Sequence, residues 1–353
     1  MLILGLETTC DETSAAVVRD GREVLSNVVA SQIDLHAKFG GVVPEVAARA
    51  HLESLNVIVE EALREAGVTR PAEQLDGVAV CNCPGLIGCL LVGTAAAKAF
   101  AFAWQKPLIA VNHVQAHLYS VMLGDASASS QFENRKSNIE NPQFPAIGLV
   151  ISGGHSSLYL VHSFHNLRRI GHTQDDAVGE AFDKVAAILQ LGYPGGPLID
   201  KLSEEGDPLA IKFPAGHLEK DSLNFSFSGL KTAVLYHVNG RKGRERDASM
   251  LTRKQKADVA ASFQKTAADM LVEKLRRAAA RFPAQAIMIG GGVSANRAIR
   301  AAVTALGVEV NLPVFIPPLR FCTDNAAMVG GIAYDLLRSG QMADLNLETI
   351  ATV

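Results

Sequence analysis

The chain opens on a short apolar run, Leu2-Ile3-Leu4-Gly5-Leu6, meets a polar stretch at residues 7–13, and resumes at 14–19 with Ala and Val. This layout predicts a hairpin with strands at 1–6 and 14–19. Val46, Ala50, Leu52, Leu55, Val59 and Leu63 recur at helical spacing and predict a helix over 44–66 with one apolar face. A buried strand at 77–81, a turn at Pro84-Gly85, a small-residue helix over 87–104 and a strand at 108–111 follow; the next helix carries His113 and His117. Apolar periodicity stops across 124–145, which reads as a solvated loop. The strand–polar turn–strand layout then repeats at 146–151, 152–155 and 156–161. A strand at 286–289 runs into Gly290-Gly291-Gly292-Val293-Ser294-Ala295-Asn296 and a helix from 297, and a final helix spans about 325–338. Alternating strands and helices predict an α/β fold, and the repeated hairpin predicts duplicated lobes with a cleft between them.

Composition narrows the class. With 48% apolar and 20% charged residues, the 353-residue chain has what a soluble two-lobed protein needs to bury a core. A net charge of -3 supplies no overall field toward nucleic acid, so a polyanion would have to be held locally. The densest basic stretch is Arg241, Lys242, Arg244, Arg246, Arg253, Lys254 and Lys256, diluted by Glu245 and Asp247; it reads equally as a solvated surface or a phosphate-backbone contact. No basic segment precedes the first apolar run and no run approaches the roughly 18 apolar residues of a membrane span, so a cytoplasmic protein with no membrane partner is expected. Five cysteines, two of them as close as Cys81 and Cys83, fit a reducing compartment better than a disulfide framework.

The chemistry concentrates in a few places. His113 and His117 share one helix face and can reach one divalent metal. The spacing is that of the zinc proteases, but Val114 stands where those enzymes need a glutamate base. Asp324, opening the last helix, reads either as a third ligand or as that helix's N-cap. Ser152-Gly153-Gly154 offers backbone N–H groups to an anion or is an ordinary turn. Gly290 to Gly292 joins a strand to a helix without a Walker lysine, and Asn296 either contacts a nucleoside or caps the helix. Asp175, Asp176, Glu180 and Asp183 crowd a helix start, Tyr193 to Pro197 is a rigid loop, and Glu7, Asp11 and Glu12 crowd the first turn, where three carboxylates need a cation, donors or water.

Together these segments resemble the universal tRNA threonylcarbamoyladenosine transferase family, once described as O-sialoglycoprotein endopeptidases. The matching segments are Gly5 to Thr13, Lys98 to Leu118, Val150 to His155, Gly179 to Lys184, Tyr193 to Pro197, Phe225 to Thr232, Gly291 to Asn296 and Phe321 to Asn325. The resemblance implies the two-lobed actin/sugar kinase/Hsp70-like (ASKHA) fold, with duplicated ribonuclease H-like cores around a nucleotide cleft. It divides the chain into an N-terminal lobe at 1–123, a polar insertion at 124–145, a C-terminal lobe at 146–320, and a segment at 321–353 returning to the first lobe. The implied reaction moves a threonylcarbamoyl group from threonylcarbamoyl-AMP to the N6 amine of adenosine 37, 3′ of the anticodon, in tRNAs reading codons that begin with adenine. AMP is released.

By the same resemblance His113, His117 and Asp324 are metal ligands, with one Fe2+ or Zn2+ per subunit. Val150, Ile151, Ser152, Gly153, Gly154, Asp183, Gly196 and Asn296 bind the nucleotide intermediate. Asp11 and Glu12 are the catalytic acids, and a smaller paralogous subunit and an ATPase are partners beside tRNA. The chain departs from the family pattern at Cys81-Asn82-Cys83, which precedes Pro84-Gly85, and in its polar 124–145 insertion. Competing expectations are a metalloendopeptidase, which Val114 disfavours, a non-catalytic scaffold paralogue, which would not need the metal ligands, and a small-molecule kinase of the same fold.

Overall fold

The computed structural model describes residues 1–125, 141–215, 221–240 and 247–352. Most of the polar 124–145 stretch, and Arg241, Lys242, Arg244 and Arg246, lie outside the described residues. Of the remaining basic stretch, Arg253 pairs with Glu205, Lys254 with Asp258, and Lys256 donates to the Leu189 carbonyl.

The strands are β1 (Leu2–Glu7), β2 (Glu12–Arg19), β3 (Glu23–Ser31), β4 (Gly77–Cys83), β5 (Leu108–Asn112), β6 (Gly124–Asp125), β7 (Ala146–Ile151), β8 (Ser156–Ser163), β9 (Asn166–His172), β10 (Ile287–Gly290) and β11 (Val314–Phe315). The helices are α1 (Ile33–Ala37), α2 (Pro44–Glu65), α3 (Pro71–Gln74), α4 (Ile87–Trp104), α5 (His113–Tyr119), α6 (Val178–Ile188), α7 (Gly195–Ser203), α8 (Ser228–Asn239), α9 (Arg253–Arg281), α10 (Arg297–Glu309) and α11 (Ala326–Arg338). They form two compact units, Met1–Asn141 with Pro317–Val353, and Pro142–Ile316.

The first unit holds a sheet in the order β5-β4-β1-β2-β3-β6, the second a sheet in the order β11-β10-β7-β8-β9. In each, three strands form an antiparallel meander and two further strands add in parallel to the first. The β5-β4-β1-β2-β3 and β11-β10-β7-β8-β9 orders are the same plan written twice, and the α/β expectation with duplicated cores is borne out. β1, β4 and β7 are buried almost throughout, as interior strands covered on both faces must be.

Two expectations about the first unit need correction. The buried face of α2 is Ala47, His51, Leu55, Val59, Ala62 and Leu63, and Leu52 is 70% exposed. A histidine takes the inward position because it is fully satisfied there: the Thr13 hydroxyl lies 2.7 Å from its Nδ1, and its Nε2 donates to the Cys10 carbonyl at 3.0 Å. Burial lowers the His51 pKa, which matches a neutral ring accepting on one nitrogen and donating on the other. Within the polar stretch at residues 7–13, Glu7, Thr8, Thr9 and Thr13 are buried. Against the expectation that no run approaches membrane-span length, α4, 18 residues long with mean hydropathy 1.6, is long and apolar enough to cross a membrane by length and composition. Its face of Cys89, Leu90, Gly93, Thr94, Ala97 and Ala101 is buried within the first unit.

α11 reaches the sheet by backbone-to-backbone approach. A Cβ on Gly5 would stand 2.4 Å from the Ala326 carbonyl oxygen and 2.6 Å from the Gly330 nitrogen. Only glycine on β1 lets the helix start sit this low, and the helix start is what carries Asp324 into the unit.

Candidate metal centre and active site

α5 leaves β5 through Asn112, whose side chain caps the helix by accepting from the Val114 and Gln115 amides. His113 therefore takes the first helical position and His117 lies one turn on, their ring centroids 4.4 Å apart. Asp324 meets them from the other end of the unit, its Oδ1 3.1 Å from His117 Nε2 and 3.6 Å from His113 Nε2. The ambiguity over Asp324 is resolved by its neighbour: Asn325 caps α11, accepting from Met328 N, so Asp324 is left to the histidines. Ligand atoms of His113, His117 and Asp324 all lie within 4.8 Å of one another.

The residues fit a divalent cation. Both ring nitrogens of His117 are fully buried with no hydrogen-bond partner; Nε2 is close to Asp324 but not aligned for a hydrogen bond. A buried, unmet imidazole is costly unless its lone pair is used. Negative charge is also in surplus, since Glu7, Asp11, Glu12 and Asp324 gather around two imidazoles. Burial, then the carboxylates of Asp324 and Asp11, push Glu12 up to about 10. At His113 burial opposes the charged form, but Asp324 and Glu7 outweigh it and raise the pKa to about 9. Burial and the His113 charge lower that of His117. The set is thus consistent with a metal ion, and His113 holds a proton where the ion would bind.

A test follows from that proton. Metal binding at pH 7.5 should release at least one proton, because the His113 pKa of about 9 lies above that pH. The binding heat would then scale with buffer ionisation enthalpy; a zero slope refutes the assignment. The stability sign agrees: a pKa raised above the unfolded 6.5 stabilises the metal-free fold below pH 6.5, and that stability is lost as pH rises through about 9.

Two neighbours escaped the sequence reading. Glu7, fully buried at the end of β1, puts Oε2 3.1 Å from His113 Nδ1 and accepts from Thr9 N on Oε1 at 2.6 Å. Cys81 comes to the same place through a register shift in β4 between Cys81 and Cys83, its sulfur within 4.8 Å of Glu7 and His113 ligand atoms. Cys83 faces Asn112, whose Nδ2 lies 3.6 Å from its sulfur. No sequence spacing links residues 7, 81 and 113; the parallel pairing of β1, β4 and β5 does. Asp11 and Glu12 stand in the β1–β2 connection and at the start of β2, held from below by His51 through Cys10 and by Gln32 N on the Asp11 carbonyl.

The other predicted site residues lie in the second unit. Val150 and Ile151 are buried and end β7, so backbone is what they can present. Ser152 closes the turn, its amide bonded to the His155 carbonyl and its hydroxyl accepting from His155 N. Gly153, Gly154 and Gly196 have open space where a side chain would go, whereas a Cβ on Gly291, at φ +90, would lie 2.3 Å from the Ile151 carbonyl. The first three glycines answer no packing need of the chain itself, as expected of backbone a ligand approaches. Asp183 Oδ1 accepts from Gly195 N at 2.7 Å and so fixes the loop bearing Gly196. Asn296 caps α10 through Ile299 N and donates to Gln264.

Asp175 and Asp176, which crowd the start of α6, bind the Phe225 to Thr232 segment. Asp175 accepts from the Ser226 and Ser228 hydroxyls and from Phe227 N, and Asp176 pairs with Lys184 and Lys231. Burial raises both carboxyls, but these donors prevail and hold them below the usual range.

Known proteins resemble this chain. The model of the TsaD family, tRNA N6-adenosine threonylcarbamoyltransferase, matches residues 23–331. A protein of that name from Anaeromyxobacter dehalogenans is 49% identical over 349 residues, covering 98% of each chain. One from Symbiobacterium thermophilum is 48% identical, covering 99% of this chain and 95% of its own. Among solved structures, full-length HypF in its phosphate- and nucleotide-bound form aligns with 97% of this chain and 47% of its own, at TM-score 0.57 and 16% identity. The activator of 2-hydroxyisocaproyl-CoA dehydratase from Clostridium difficile with bound ADPNP aligns over 99% of both chains, at TM-score 0.52 and 13% identity. These two distant likenesses establish the ASKHA-type fold, and the close relatives establish the rest: the chain belongs to the tRNA N6-adenosine threonylcarbamoyltransferase family and is a tRNA-modifying transferase.

Proposed function

We propose that the chain transfers the threonylcarbamoyl group of threonylcarbamoyl-AMP to N6 of adenosine 37, in tRNAs that read codons beginning with adenine. The convergence of His113, His117 and Asp324, with His117 buried and unmet, carries this reading. A hydrolase built on the same histidines would need a base beside His113, and Val114 there is buried and apolar. In the reaction the N6–carbonyl bond forms, the bond from that carbonyl to the AMP phosphate oxygen breaks, and the amine loses one proton. An exocyclic amine is a weak nucleophile, so orientation and charge stabilisation carry the rate.

His113, His117 and Asp324 would hold Fe2+, with Zn2+ as the substitute; bound there, the ion supplies Lewis-acid polarisation and a template for oxygen ligands. Amides of Gly153 and Gly154, in the turn that Ser152 closes, face the anionic part of the donor, backbone of Val150 and Ile151 lines it, and Asp183 keeps the Gly196 loop in place. Asn296 presents the end of α10 to the nucleoside. Asp11 receives the amine proton, with Glu12, held protonated up to about 10, hydrogen-bonded beside it. A smaller paralogous subunit and an ATPase act with the chain, in the cytoplasm and away from membranes. Reconstitution with threonylcarbamoyl-AMP, tRNA and those partners, followed by nucleoside analysis, should yield threonylcarbamoyladenosine at position 37. Transfer that proceeds equally without this chain would refute the proposal.

A further inference from the structure

We propose that Glu7 is a positioning residue for the metal centre: it fixes the His113 ring in the Nδ1–H tautomer, and Cys81 completes the shell around it without binding the ion. This rests on reading His113, His117 and Asp324 as metal ligands. An imidazole binds a cation through one nitrogen while the other donates its proton, and the acceptor of that proton sets ring orientation and basicity. His113 Nε2 faces Asp324 and His117, whereas Nδ1 faces Glu7 Oε2 at 3.1 Å, with the Thr9 hydroxyl at 3.3 Å. Glu7 has no solvent to share its charge, and its other oxygen accepts from Thr9 N at 2.6 Å. The two donors approach different oxygens, so a carboxylate satisfies both and an amide cannot; its NH2 would have to face one of them.

Cys81 sits against the same carboxylate, and its sulfur, Glu7 and Nδ1 of His113 form a second trio of possible ligands. The trio is not an alternative ion site. Its carboxylate is already engaged: Thr9 N and His113 Nδ1 occupy the two Glu7 oxygens, with the Cys81 sulfur beside them.

The test is a chelator-competition titration of the full-length protein with Co2+ and Zn2+, with thermal unfolding as a control for the fold. Glu7→Gln should weaken both metals by about 10- to 100-fold. Its metal-free melting curve should stay close to wild type, and Glu7→Asp should recover part of the affinity. Wild-type protein loaded with Co2+ should show no sulfur-to-cobalt charge-transfer band. An affinity unchanged in Glu7→Gln overturns the proposal, and so does a thiolate band that vanishes in Cys81→Ala, because Cys81 would then be a ligand. His117→Ala separates the two readings: full affinity in that variant would remove the metal centre itself, whereas its loss with Glu7→Gln unaffected would remove the role of Glu7 alone.

Discussion

Asp324→Ala should lose its metal and with it nearly all tRNA modification, while the chain remains folded. The carboxylate is the one anionic member of the His113, His117 and Asp324 set. Without it two imidazoles remain, and His117 again has both ring nitrogens buried and unused. Outer-shell changes alone cost about 10- to 100-fold in affinity, and loss of a direct ligand should cost more. The fold is spared because the α11 cap belongs to Asn325 and the helix contacts begin at Ala326. Metal analysis after dialysis and nucleoside analysis of the modified tRNA check this, and His113→Ala should behave alike. Full modification by metal-stripped Asp324→Ala would mean that the ion is not needed for transfer.

The second large effect concerns a residue with no functional group. Gly5→Ala should destabilise the protein by roughly 2–3 kcal/mol and lower Tm by about 3–4 °C. The new methyl would overlap the Ala326 carbonyl and the Gly330 amide, both backbone atoms that no rotamer change can move aside. α11 must therefore shift outward, and Asp324, two residues before Ala326, shifts with it. Metal affinity should drop together with Tm, which a purely local packing defect would not cause. A melting temperature within 1 °C of wild type would show that the helix start accommodates the change.

What the sequence revealed depended on whether a local period carried it. His113 and His117 were legible because four residues make a helical turn. The hairpin repeat was legible because both copies alternate buried runs with polar turns. Asp324 was half legible: ligand and cap look alike until Asn325 is seen to cap. Glu7 and Cys81 were not legible as partners of His113, because their meeting depends on strand pairing across 106 residues. α9, 29 residues long, hid because its buried face is largely alanine, among them Ala257, Ala260, Ala261, Ala267, Ala268 and Ala278. β9 hid because it is an edge strand with only Gly171 buried. The α2 face was misjudged at Leu52 because a histidine inside a helix looks polar until Thr13 and Cys10 are found to satisfy it.

The first unit is made of two separated lengths of chain, residues 1–141 and 317–353. A ribosome delivers both histidines, Glu7 and Cys81 long before it delivers Asp324. Until then the groove on β1 that Gly5 keeps open has no helix to fill it, and the imidazoles have no carboxylate from the C-terminal segment. Arrival of α11 seals the sheet and supplies the last ligand in one event. A nascent or prematurely terminated chain without residues 317–353 therefore lacks both Asp324 and the helix that packs over Gly5.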